Sequence, residues 1–128
     1  MFSIHSISSD RELIFEDRRK EYFFVRLQGS QMSVHTDVWD GMNATLGTFF
    51  ERLASFPDPW QGEIEWGSYD GEFLISATCS RLGQVTFLVK LAAQPNDVRE
   101  WEAQALIDTE FGQLTSIAIN AKKFFQEI

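Results

Sequence analysis

The chain has 128 residues, a formal net charge of −8, 44% hydrophobic residues and 23% charged ones. This length suits one domain, 1–128, and twelve Phe with four Trp furnish a core, so disorder is excluded by composition. There is no apolar run of eighteen residues and no basic block, which argues against a helical membrane span and against binding nucleic acid, whose phosphates demand Lys and Arg.

The N-terminal stretch MFSIHSISSDREL has no basic start leading into an apolar run, so no secretory signal is expected. FSIHSI sets Phe2, Ile4 and Ser6 against Ser3, His5 and Ile7, the period of a strand. Ser8-Ser9-Asp10 is a turn-type cluster, and RELIFED follows as a second strand. In EYFFVRLQG, Phe23, Val25 and Leu27 share one face while Tyr22, Phe24 and Arg26 share the other. A turn at Gly29-Ser30 leads to QMSVHTDVW, where Met32, Val34, Thr36 and Val38 fall together.

The period then changes. Met42, Leu46, Phe49, Phe50 and Leu53 have helical spacing, which predicts a helix over 43–55. Asp40 or Asn43 would cap it, Pro57 and Pro59 end it, and Gly47 weakens it. Beyond it, Ile64 and Trp66 oppose Glu63 and Glu65 on a short strand. Asp70-Gly71 predicts a tight hairpin turn, since both residues tolerate positive φ. EFLISATCS then places Phe73, Ile75, Ala77 and Cys79 inward and Glu72, Leu74, Ser76 and Thr78 outward. Cys79 is the one cysteine, so no internal disulfide forms, which fits a reducing cytoplasm. Gly83 is the left-handed residue expected in the SRLGQ turn before QVTFLVKLA, whose Val85, Phe87, Val89 and Leu91 point inward.

Gln94-Pro95-Asn96-Asp97 reads as a loop. REWEAQALID alternates Trp101, Ala103, Ala105 and Ile107 against Glu100, Glu102, Gln104 and Asp108, a strand period despite residues that favour helices. The last segment carries an apolar stripe: Phe111, Leu114, Ile117, Ala118, Ala121, Phe124, Phe125 and Ile128. Asp108 or Thr109 would cap this helix, with Glu110 and Lys122-Lys123 at the favourable ends of its dipole. Burying four of its large side chains contributes about 6–12 kcal/mol, at about 1.5–3 each, comparable to a whole domain's net stability. The sum is four strands, a helix, four strands and a helix, without internal repeat. This is an α+β fold: a mainly antiparallel meander with two helices packed on one face.

Catalytic signals are sparse. Glu63 and Glu65 share a strand face, whereas a hydrolytic pair converges across a cleft. His5 and His35 stand alone, no Cys/His spacing suggests zinc, and Cys79 with His35 lacks a flanking motif, so no catalytic residue, metal or cofactor is expected. There is neither a phosphate-binding glycine loop nor a Gly-x-Ser-x-Gly elbow. Trp66 and Trp101 have core register. Trp39 and Trp60 border loops, either as exposed binding aromatics or as lids on the core. Tyr22 and Phe24, with Leu74 and Leu88, suggest a second apolar sheet face that would bind a partner or a second copy.

The run WQGEIEWGSYDGEFLISATCSRLGQVTFLVKL, followed by WEAQALIDTEFGQLTSIAINAKKFF, resembles a group of small uncharacterised bacterial domains. The matching positions are Trp60, Gly62, Trp66, Gly71, Phe73, Gly83, Val85, Leu91, Gly112, Gln113, Leu114, Phe124 and Phe125, and the likeness spans residues 56–126. Some relatives are similar to WapI-type immunity proteins, which protect bacteria from contact-delivered toxins. Together with the acidic balance and the lack of catalytic motifs, the resemblance leads us to expect a non-catalytic interaction protein that neutralises a toxin, its acidic face meeting a basic cleft by charge complementarity. Candidate contact residues are Trp39, Trp60, Glu63, Glu65, Tyr22 and Phe24. Two alternatives stand beside this: a small enzyme with a carboxylate-containing pocket, and a subunit of a homo- or hetero-oligomer.

Overall fold

The computed structural model describes residues 1–41, 45–93 and 100–126. The strands are β1 (Phe2–His5), β2 (Glu12–Glu16), β3 (Tyr22–Gly29), β4 (Met32–Trp39), β5 (Ile64–Gly67), β6 (Phe73–Cys79), β7 (Gln84–Ala92) and β8 (Glu102–Glu110). Helix α1 (Leu46–Ala54) lies between β4 and β5. A single 3-10 turn, Phe111–Gln113, leads from β8 into helix α2 (Leu114–Phe125). No helix among the described residues is long and apolar enough to cross a membrane.

The fold is α+β and antiparallel, but the eight strands form two sheets rather than one. Their orders are β1-β2-β3-β4 and β5-β6-β7-β8. Each is a meander, because short connections return every strand beside the one before it. Helix α1 interrupts the run after β4, so β5 begins a new sheet. No repeat is visible residue by residue, yet the order of elements repeats: four strands and a helix, twice.

The period-two pattern decides which side of each sheet is dry. Leu13, Phe15, Phe23, Val25, Leu27 and Val38 from the first sheet are fully buried, as are Phe73, Ile75, Phe87, Val89, Leu91 and Ile107 from the second. They belong to one core with Leu46, Phe50 and Leu53 of α1 and Leu114, Phe124 and Phe125 of α2. Phe15 is its hub. Its ring centroid lies 5.2 Å from Phe2, 5.9 Å from Phe23, 5.8 Å from Phe73, 6.4 Å from Phe124 and 6.0 Å from Phe125, linking both sheets to α2. The helices also pack on each other. A Cβ on Gly47 would sit 3.6 Å from the Phe125 ring, so the glycine marks a close approach that a methyl group would just fill.

The outer edges β1 and β8 meet at a polar seam. The Ile7 N–H donates to the Asp108 carbonyl at 3.0 Å. The Asp108 carboxylate accepts from the Ser6 hydroxyl at 2.6 Å, the Ser8 hydroxyl at 2.5 Å and the Gln84 amide at 3.1 Å. Bonds from Ser6, Ser8 and Gln84 hold its pKa below the usual carboxylate value. Asp108 therefore does not cap α2. β8 runs on to Glu110 because its ladder with β7 extends through Thr86↔Asp108, Val85↔Thr109 and Gln84↔Glu110. Gln113 takes the N-cap position without a side-chain bond.

Helix α1 begins at Leu46 after Thr45, while the anticipated cap Asn43 and the apolar residue Met42 lie outside the described residues, as do the 94–97 loop and Ile128. Asp40, the other anticipated cap, accepts both contacts of a buried ion pair with Arg18, at 3.0 and 2.9 Å. The Arg18 guanidinium also stacks 5.6 Å from the Phe125 ring. The Asp70-Gly71 turn is wider than a two-residue hairpin: five residues separate β5 from β6, and only Gly71 has positive φ. Gly83 is left-handed at φ 90°, as its turn requires.

Candidate functional site

Three of the anticipated contact residues come together on the outer face of the first sheet. Tyr22 stands directly opposite Trp39, and Phe24 opposite Asp37, because β3 and β4 pair in that register. The Phe24 ring lies 5.1 Å from that of His35. Trp39 meets the exposed Tyr69 edge-on at 5.8 Å, so the aromatic patch reaches across to the turn between β5 and β6. Charges frame it in pairs, Arg19 with Asp37 and Asp17 and Arg26 with Glu16, and the His5 ring lies 2.8 Å from the Glu12 carboxylate. Arg19 also stacks over Tyr22 at 5.2 Å. Trp, Tyr and Arg together are the residue types richest in protein-binding hot spots.

Glu63 and Glu65 are elsewhere. Both are exposed at the start of β5, on the second sheet. The outer face of that sheet also holds Leu74 and Leu88, which therefore do not share a surface with Tyr22 and Phe24. The registers place Glu65, Ser76, Leu88 and Leu106 in one row across all four strands. Leu106 is 51% exposed. The next row holds Gly67, Leu74, Lys90 and Gln104, and Lys90 reaches Glu102 at 2.9 Å.

Trp60 offers no surface. It is 7% exposed, stacked on Phe56 at 5.3 Å and 6.3 Å from Phe111, and it closes one end of the core. Its indole N–H is buried without an acceptor among the described residues. Trp66 belongs to the core as its register demanded, and the half-buried Trp101 packs against that core.

The periodicity argument missed one further surface. Ile7 is 59% exposed and Leu82, at the tip of the β6–β7 turn, is wholly exposed. With Pro59, Arg81 and Phe111 they line an open hollow of about 650 Å³. Ile7 and Glu110 also wall a neighbouring hollow of about 390 Å³ against α2. A leucine between an arginine and a glycine at a hairpin tip was the available signal, because a turn leaves such a side chain no core to enter.

Among the described residues, Cys79 and His35 are not brought together. Cys79 has inward register on β6 and donates to the Ser80 carbonyl at 3.4 Å, whereas His35 is exposed on the outside of the other sheet. Burial pushes the Cys79 thiol pKa up, which makes its thiolate scarcer. Neither hollow at the β1–β8 seam is lined by His35, Glu63 or Glu65. Among the described residues, no three of His, Cys, Asp and Glu gather as a metal-ligand set.

No curated protein and no solved structure matches the chain. A family profile does, and it takes in β2, β3 and β4, which the resemblance over 56–126 left out. Matched across residues 6–128, the chain belongs to DUF6228, a family of unknown function.

Proposed function

We propose that this domain acts by binding another protein, and that the partner is a basic toxin which it neutralises. The supporting observation is where the charge lies. Residues 1–40 hold seven acids against five bases, and residues 41–128 hold twelve against six. In the first group, ion pairs bind Arg18, Arg19 and Arg26 to Asp17, Asp37, Asp40 and Glu16. In the second, Lys90–Glu102 is the one ion pair among the described residues. Acids outnumber bases throughout the chain, and among the described residues those from position 41 onward have few ion pairs, which favours a cationic partner through long-range steering.

Affinity capture from the native cell at low salt tests the reading. The expected partner is a basic protein that is released as added salt shortens the screening length below about 10 Å. Co-expression should restore growth to cells producing that partner. Recovery of no partner, or of one whose toxicity is unchanged, refutes the proposal. The aromatic composition of the Tyr22–Trp39 face supports a second reading, self-association; sedimentation as a monomer at high concentration would refute it.

A further inference from the structure

Resting on that reading, we infer that the outer face of the second sheet is the docking surface, and that it takes a protein patch with an apolar centre and a cationic border. The argument starts from the pleat. Side chains that alternate outward from β5, β6, β7 and β8 form a flat array whose rows are fixed by the ladder registers. Leu88 and Leu106 are cross-strand partners in the central row, and Leu74 sits on the diagonal from Leu88. Leu106, half-exposed on the edge strand β8, opens the end of this strip to contact, while Ser76 further along the row is buried.

The border is acidic at the β5 edge and at the ends of β8, while Arg11 donates to the Leu106 carbonyl at 2.9 Å midway along the β8 edge. Glu65 ends the central row, Glu63 lies two residues earlier, Glu110 faces Gln84 at the far end, and Glu102 lies beside Ala92. Glu63, Glu65 and Glu110 form no ion pair among the described residues. Lys90 is the single cation of the two rows and is engaged by Glu102. Apolar side chains beside solvated charge are the ordinary anatomy of a protein interface, where the apolar part supplies affinity and the charge supplies selectivity and rate. Beside the first sheet, Glu16, Asp17, Asp37 and Asp40 are already held by arginines, so a cationic partner gains less there.

The test is an amide chemical-shift titration of the full chain at low salt against a panel of small cationic bacterial ribonucleases inactivated at their active sites. Shifts should concentrate along β5–β8 around Glu65, Ser76, Leu88 and Leu106. Leu106→Asp should weaken binding about tenfold or more. Glu63→Gln and Glu65→Gln should each weaken it roughly twofold to fivefold and flatten the salt dependence. Trp39→Ala should leave it unchanged. Leu106→Ser serves as a milder second variant, and the unperturbed inner-face amides report that the fold persists. Shifts that map to Tyr22 and Trp39 and are lost in Trp39→Ala would overturn the assignment of the face while leaving an interaction role standing. Binding indifferent to Leu106→Asp would mean bare charge attraction and would also overturn it. Failure of every ribonuclease to bind would refute both the face and the cationic partner.

Discussion

Replacing Phe15 by alanine asks whether the two sheets are one cooperative structure. Phe15 is fully buried and its ring meets five others, drawn from β1, β3, β6 and α2. Removing a buried phenylalanine costs about 3–5 kcal/mol, the sum of lost transfer energy and the cavity left behind. The upper part of that range is expected, because the cavity wall is built from both sheets and α2 and cannot close without moving all three. Typical net stability is about 5–15 kcal/mol, so the variant should remain folded but with its thermal midpoint lowered by roughly 10–20 °C. Urea unfolding gives the free-energy loss, and hydrogen exchange by mass spectrometry locates it. Peptides from β2–β3 and β6–β7 should lose protection together. A loss below about 1.5 kcal/mol, or a second sheet that keeps its protection while the first opens, would refute the shared core.

Asp108→Ala should cost about 2–4 kcal/mol, since it leaves the Ser6 and Ser8 hydroxyls and the Gln84 amide without their acceptor. The Asp108 carboxyl is held below its unfolded value, so its contribution is present above the ordinary Asp pKa of about 3.9 and is lost as pH falls through the folded value. Urea midpoints followed downward from pH 4 should therefore fall less steeply in Asp108→Asn than in the unmodified chain. Gly47→Ala should stabilise by about 0.5–1 kcal/mol, because a helical alanine loses less backbone freedom and its methyl meets Phe125 at an ordinary 3.6 Å; a lower urea midpoint would count against the packing described. Gly83→Ala should cost about 1–2 kcal/mol, since φ 90° strains any residue with a Cβ, and an unchanged midpoint would contradict the turn geometry.

Much of the fold could be read before the structure. β3, β6 and β7 alternate so regularly that their buried faces follow from side-chain direction alone, and Phe23, Val25, Leu27, Phe73, Ile75, Val85, Phe87 and Leu91 are all fully buried as that rule requires. Helix α2 was legible from its stripe, though its start was not. Asp108, Thr109 and Glu110 have the composition of a helix N-terminus, but pairing with Thr86, Val85 and Gln84 keeps them in a strand. Cap preference is worth about 1 kcal/mol, and a buried ladder with a satisfied carboxylate outweighs it. The candidate site was legible residue by residue but not as an arrangement. Tyr22, Phe24 and Trp39 were placed together by local register. Trp60 was not distinguishable from an exposed aromatic, because nothing near it in the chain reveals that Phe56 and Phe111 enclose it.

The sequence by itself determined what short-range physics controls: the number of strands, their inward residues, the left-handed turn at Gly83 and the apolar stripe of α2. Those features depend on the two periods of the backbone and on the steric limits of single residues. Only the tertiary structure decided that the eight strands divide into two sheets, that β1 meets β8 across Asp108, and that Leu88 and Leu106 lie side by side on the outer face of the second sheet. Each of these joins residues tens of positions apart, and which of several such pairings wins is settled by the packing of the whole core, to which no single stretch of chain holds the key.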